Sequence, residues 1–174
     1  YLYKGPVLEW YARIKMGLEK DYAFYDQLLP KVGKIVDVGC GYGFLCQLLR
    51  LRSKEREVLG MDYDEEKIAV AQNLSIRDEG LQYRVGDVSK APLPAAQAYV
   101  FNDVLHYLPK ARQLDLIEEA LKAIPVGGMV VIRDADADMK RRTLMTRWTE
   151  FQSTRLFRFN RAENELSYLS GRDI

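Results

Sequence analysis

The sequence predicts an α/β fold: a doubly wound, mostly parallel sheet with helices on both faces. Three observations carry this. The apolar, β-branched run Ile35-Val36-Asp37-Val38 ends in Gly39-Cys40-Gly41-Tyr42-Gly43. Phe44, Leu45, Leu48 and Leu49 follow at helical spacing, so the stretch reads as strand, tight turn and helix. Further apolar segments recur downstream, and each closes on a polar residue.

Taken in order, residues 6–29 place Val7, Trp10, Tyr11, Ile14, Leu18, Tyr22, Tyr25 and Leu29 at spacings of three and four, which predicts a helix. Such a helix either packs its aromatic stripe on the sheet or covers a site, with Tyr3, Lys4 or Tyr11 shaping a pocket. The first strand and its turn follow. Glycine suits that turn because the backbone must bend sharply and admit a ligand with no Cβ in the way. The helix N-terminus beside it offers unsatisfied N–H groups.

Val58-Leu59-Gly60-Met61-Asp62 reads as a second strand. Its terminal acid falls about twenty residues after the turn, where a ribose-binding carboxylate belongs in such folds. Leu81-Gln82-Tyr83-Arg84-Val85-Gly86-Asp87 reads as a third strand, and Ala98-Tyr99-Val100-Phe101-Asn102-Asp103 as a fourth, followed by Val104-Leu105-His106-Tyr107-Leu108. Gly127-Gly128-Met129-Val130-Val131-Ile132-Arg133-Asp134 reads as a fifth. The polar strand ends gather at one edge, the edge at which open α/β sheets bind ligands.

After the fifth strand, Asp134, Asp136 and Asp138 alternate with alanine and arginine neighbours. That spacing could hold a divalent cation, but it lacks the glycine and distal glutamate of a calcium loop. Solvated loop or helix-start charges account for it better, and no metal site is assigned. Residues 139–160 then read as a basic amphipathic helix. Lys140, Arg141, Arg142, Arg147, Arg155 and Arg158 stand against the single acid Glu150, with Leu144, Trp148, Phe151 and Phe159 as an apolar stripe. Extended to Arg161, this segment is either a sheet cover with a solvated basic face or a platform for an anionic substrate, an acyl carrier or an anionic membrane surface.

The 174 residues make one domain: a helical lid over 1–31, a cofactor-binding core over 32–134 and a basic helical segment over 135–174. A net charge of +1 argues against a general nucleic-acid binder. No apolar run is long enough to span a membrane. Cys40 and Cys46, the two cysteines, sit in the turn and the following helix, which points away from a disulfide and toward a reducing cytoplasm. The chain opens on Tyr1, and Ser170 with Asp173 announces a helix that has no room to follow. The expectation is a truncated domain of a longer polypeptide.

In this order the motifs resemble the class I S-adenosylmethionine-dependent methyltransferases over residues 32–134. The resemblance implies the strand order 3-2-1-4-5, with the usual strands six and seven missing here. It implies that the turn formed by Gly39, Cys40, Gly41, Tyr42 and Gly43 wraps the methionine part of the cofactor. Asp62, with Tyr63 beside it, would bind the ribose hydroxyls, and Asp87, with Val88, the adenine. Asp37 would help hold the amino-acid end, directly or through water, and the Asn102 backbone would lie near the ammonium group. The basic segment also resembles methyltransferase domains fused to lipid acyltransferases in some bacteria, which implies a fused enzyme as a partner.

Elementary chemistry agrees. S-adenosylmethionine carries a sulfonium and an ammonium, so nearby carboxylates favour it. A dinucleotide diphosphate wants bare amides, and the spacing here is G-x-G-x-G rather than G-x-G-x-x-G. A nicotinamide-binding fragment stays as an alternative, as does a cofactor-binding domain that cannot turn over alone. Methyl transfer from the already activated sulfonium mainly needs alignment of the nucleophile and exclusion of water. A base is needed only where the acceptor must lose a proton. His106, the single histidine, is either that base or a half-buried structural histidine bonded to a backbone carbonyl. Tyr107 and Asp103 are further acceptor-side candidates. Asn102-Asp103-Val104-Leu105 lacks the N/D-P-P-aromatic element of base amino-methylation, and no Pro-Cys pair supports cytosine ring chemistry. A small-molecule or lipid-like acceptor, methylated at O or C, is the expectation.

Overall fold

The computed structural model describes residues 22–73, 78–88, 92–134 and 167–170. Helix α1 (Tyr22–Leu28) leads into strand β1 (Gly33–Val38), helix α2 (Phe44–Arg52), strand β2 (Arg56–Asp62) and helix α3 (Glu65–Gln72). Strands β3 (Leu81–Val85) and β4 (Ala98–Asn102) follow, then a single 3₁₀ turn (Leu105–Tyr107), helix α4 (Lys110–Ala123) and strand β5 (Met129–Arg133). All pairings are parallel, and the order is β3-β2-β1-β4-β5, as the resemblance implied.

Alternation along the strands builds two cores. Ile35, Val58, Leu81, Ala98 and Met129 share one register row and face α1 and α2, whose Tyr22, Tyr25, Phe44, Leu45 and Leu49 pack on them. Val36, Leu59, Tyr99 and Val130 point the other way, onto α4. Helix α4 meets them with Gln113, Leu116, Ile117 and Ala120, a stripe of three-and-four spacing. β1 lies at the centre and buries residues 35–38 on both faces, which is why its sequence is nearly all apolar.

The connection from β3 to β4 contains no helix among the described residues. Among the described residues no helix covers the second face beside the β3 edge, and the exposed side chains there are polar: Glu57, Gln82 and Arg84.

Arg56 is fully buried at the start of β2. Its Nε donates to the Pro30 carbonyl at 2.7 Å, Nη1 to Asp26 Oδ1 and the Leu49 carbonyl, and Nη2 to the carbonyls of Asp26 and Leu29. All five guanidinium donors are thus used, on the Asp26 carboxylate and on carbonyls where α1 and α2 run out, of which that of Leu49 also accepts from the Ser53 amide and that of Asp26 from Lys31. Burial pushes the Asp26 carboxyl up, but the hydrogen bonds and charges of Lys31 and Arg56 outweigh it and hold it below its ordinary value. Nearby, Asp78 accepts from Arg50 and Lys54 and is held well below the usual carboxylate range by those bonds.

Element ends differ slightly from expectation. β3 stops at Val85, short of Asp87, where the Gly86 amide turns back to the Asp62 carbonyl. β4 stops at Asn102 because Asp103 takes a left-handed φ of 53°. β5 starts at Met129, after a turn in which Gly127 has φ 83°. Tyr22, Tyr25 and Leu29 of the first expected helix are buried, and residues 6–21 lie outside the described residues. So do Asp136, Asp138, the basic segment 139–161 and the stretch after Ser170, and with them the expectations about a lid, an anionic platform and strands six and seven. Among the described residues no helix is long and apolar enough to cross a membrane.

Candidate functional site

The three turn glycines do three different jobs. Each has a positive φ: 76° at Gly39, 55° at Gly41 and 75° at Gly43. A Cβ on Gly39 would lie 2.4 Å from Val104, and one on Gly43 would lie 2.5 Å from the Tyr83 ring. A Cβ on Gly41 would meet nothing within 4 Å. Gly39 and Gly43 thus let the protein pack against its own turn, while Gly41 is the position that opens outward.

The turn is held from below by β2. The amides of Gly39 and Cys40 both donate to the Met61 carbonyl, at 2.7 and 3.0 Å, and the Gly41 amide donates to Asp62 Oδ2 at 2.8 Å. Asp62 Oδ1 accepts from the Asp64 amide at 3.0 Å. An ionised carboxylate has about four acceptor sites, so these two bonds orient Asp62 without exhausting it. Asp64 in turn caps α3, accepting from the amides of Glu66 and Lys67. Gly43 occupies the N-cap of α2 with no side-chain cap, which leaves the helix's first amides to the turn and to a ligand.

Beneath the turn lies a sulfur-rich packet. Cys46 Sγ donates to Asp37 Oδ2 at 3.2 Å, and Asp37 is only 2% exposed. A Cβ on Gly60 would meet the Tyr83 ring at 2.7 Å, Cys40 Sγ at 2.8 Å and Cys46 Sγ at 3.0 Å, so this position too must be glycine. Neither thiol is in a disulfide. Burial above all, with the Cys40 bond and the Asp37 charge, pushes the Cys46 thiol well up. The bond from Cys46 works to lower Cys40, but burial and the charges of Asp37 and Asp62 raise it on balance. Both sulfurs stay protonated packing groups. Burial likewise drives the Tyr83 hydroxyl far above its ordinary range, so it remains a donor, to the Gly43 carbonyl at 3.2 Å.

The other predicted residues spread along the same edge. Tyr42 packs on Phe44 with ring centroids 6.3 Å apart, and Tyr63 is half exposed beside Asp62. Asp87 and Val88 follow β3, where Arg112 Nη2 donates to the Val88 carbonyl at 2.6 Å. Asn102 Oδ1 accepts from Tyr25 Oη at 2.7 Å and from Arg133 Nη1 at 3.1 Å. Arg133 Nη1 also reaches Asp103 Oδ2 at 3.0 Å, and the Asp103 amide donates to the Arg133 carbonyl. These bonds hold Asp103, the one non-glycine residue of positive φ among the described residues. Such a conformation persists only where its surroundings over-determine it.

His106 is placed differently from its bland expectation. It is not half-buried on a backbone carbonyl; it is 1% exposed, and its Nδ1 lies 2.6 Å from Asp134 Oδ1. Tyr25, Tyr83, Val104 and Arg133 were not singled out from the sequence as site residues. Only Tyr83 carried a hint, as an aromatic facing the glycine side of the sheet.

Carboxylates of Asp37, Asp62, Asp87, Asp103 and Asp134 stand in or just past the strands at this edge and outnumber the guanidiniums of Arg112 and Arg133 beside them, so the field favours a cation. The contrast is at the opposite edge, where a cleft of about 580 Å³ is lined by Lys34, Arg50, Lys54, Glu57, Glu79 and Gln82. Its charges are of both signs, and none of Gly39, Gly41 and Gly43 lines it.

A family model described as "Methyltransferase domain" matches residues 35–128. The trans-aconitate 2-methyltransferase of Mycolicibacterium gilvum is 39% identical over 93 residues, which are 50% of this chain and 34% of that relative. This chain therefore spans about a third of that curated relative's length. An S-adenosylmethionine-dependent methyltransferase from Mesorhizobium loti superposes with a TM-score of 0.55 at 28% identity, covering 67% of this chain and 54% of that one. Human N-acetylserotonin methyltransferase, in complex with S-adenosylmethionine, superposes with a TM-score of 0.67 at 18% identity, over 92% of this chain and 45% of that one.

Proposed function

The chain belongs to the methyltransferase domain family, and on that premise we propose that it binds S-adenosylmethionine at the glycine turn and directs its methyl group to a small carboxylate. The observation that carries the reading is Gly41: its amide orients Asp62 while its Cβ direction is open. A cationic ligand can approach the backbone there within reach of a pre-aimed carboxylate. Asp62, with Tyr63, would take the ribose, and Asp87 with Val88 the adenine. Asp37, Gly39, Cys40, Gly41, Tyr42, Gly43 and Asn102 would surround the amino-acid end. When bound, the cofactor supplies an activated methyl group on a sulfonium.

The acceptor class follows from the relatives' names, which specify trans-aconitate, together with a point of chemistry. A carboxylate is ionised at neutral pH, so its oxygen needs no general base before attack. A histidine already bonded to Asp134 suits an acceptor of that kind. The nicotinamide alternative loses its ground with the family match. A second reading stays favoured by one fact, the third of a relative's length that the chain spans: a cofactor-binding module whose acceptor elements lie elsewhere.

Calorimetry with S-adenosylhomocysteine tests the site. A charge-assisted hydrogen bond is worth about 1.5–3 kcal/mol, so Asp62→Ala should weaken binding roughly tenfold to a hundredfold. An unchanged affinity in a folded variant would remove Asp62 from the site. Methyl ester formation from trans-aconitate by the parent chain separates the enzyme from the inactive module.

A further inference from the structure

Two separate pieces of chain end on His106. Asp134, where β5 gives out, meets the ring with Oδ1 at Nδ1 and receives the His106 amide on Oδ2 at 3.2 Å. From the other side the Ser167 amide donates to the His106 carbonyl at 2.9 Å, and the Tyr168 ring stacks on the imidazole with centroids 5.5 Å apart and planes at 23°. The Ser167 carbonyl accepts from Gln113 Nε2, a buried amide that also donates to the Leu108 carbonyl. Leu169 is buried in the cluster of Val36, Phe101, Leu105 and Leu116. An ionised carboxylate can only accept, so Nδ1 carries the proton and the ring's rotation is set.

We infer that His106 is a positioning residue of the acceptor side: it clasps the strand exit at Asp134 and the returning segment at Ser167 to one turn, and so fixes Tyr107 and Tyr168, the rings that flank it. The inference rests on reading this edge as a methyl-transfer site. It assigns the work to Nδ1 and the backbone, whereas a general base would work through Nε2. Substitution separates the two. Asparagine puts an amide N–H near the Nδ1 position and nothing at Nε2, while phenylalanine keeps a ring and removes both nitrogens.

The test is amide hydrogen exchange of the full chain at Ser167 and Tyr168, with circular dichroism as the folding control. His106→Asn should keep protection within about threefold of the parent, whereas His106→Phe and Asp134→Ala should lose about tenfold or more. S-adenosylhomocysteine affinity should stay within about twofold in all three. With trans-aconitate as acceptor, His106→Phe should raise KM more than it lowers kcat, His106→Asn should restore KM, and the pH profile of kcat should keep its shape. Protection in His106→Asn as poor as in His106→Phe overturns the clasp. Intact protection in His106→Asn with a collapsed kcat overturns it in favour of a base at Nε2. If the parent forms no ester from trans-aconitate, the carboxylate reading fails, and the exchange comparison still decides the clasp.

Discussion

The two ends of the sheet solve opposite problems with similar residues. At the N-terminal end a buried arginine spends all five donors on Asp26 and on the carbonyls where two helices stop, and Asp78 is matched by Arg50 and Lys54. Charge there is closed on itself. At the C-terminal end, carboxylates are aimed by backbone amides beside a turn whose middle glycine faces open space. Asp62 there is aimed by amides, while Asp103 is bonded to Arg133. Burial alone does not separate these ends, because Arg56 and Asp37 are both almost inaccessible. What separates them is the donor: side-chain cations around Asp26 and Asp78 at the first end, backbone amides around Asp62 at the second.

The largest expected effect breaks the closed end. Arg56→Met takes five donors away from Asp26 and from the carbonyls of Leu29, Pro30 and Leu49, while Lys31 stays on Asp26. Removing one partner of a buried ion pair costs about 3–5 kcal/mol, a large share of a stability that is about 5–15 kcal/mol for typical domains. Urea unfolding measures it, and a loss under about 1 kcal/mol would show that the arginine is not the closure described.

A middle effect sharpens the difference within the turn. Alanine at a left-handed position costs about 1–2 kcal/mol, and forced overpacking adds about 1–3. Gly39→Ala and Gly43→Ala should suffer both, because Val104 and Tyr83 stand in the way, whereas Gly41→Ala should suffer the first alone. Gly41→Ala should nonetheless impair S-adenosylhomocysteine binding out of proportion to its stability loss. Equal destabilisation across the three variants would erase the distinction.

The smallest effect is acid dependence at the closed end. Asp78 titrates below its ordinary value of 3.8, so it contributes stability above that value and loses it as pH falls toward its lowered native value. Parent and Asp78→Asn should differ in melting temperature at pH 6 and converge below pH 3.8. A difference that persisted unchanged into acid would assign the stabilisation to something other than the Arg50 and Lys54 bonds.

Much of the fold was legible because it rests on local pattern. The β-branched runs, the glycine turn and the acids closing each strand located five strands to within a residue or two. What escaped was long-range. Arg56 at a strand start looks like a solvent-facing charge, and only α1 brings Asp26 and the carbonyls of Leu29 and Pro30 to it. The glycines looked alike until Val104 and Tyr83, far along the chain, arrived against two of them. The acid after β5 reads as a loop or helix-start charge that could face the active site, but its partnership with His106 spans the whole of α4 and β5 and was not legible.

The pairing of β1 with β4 has a consequence for how the molecule comes into being. Ile35 to Val38 bond to Ala98 to Phe101, and the residues in between must first be gathered into β2, β3 and their connections. Closing so long a loop costs entropy before any contact repays it. The glycine turn meets Val104 only once β4 has docked. A nascent chain that has made the turn and β2 holds Asp62 and Gly41 but not the wall behind them. The edge proposed for the cofactor is therefore complete only once β4 has joined β1.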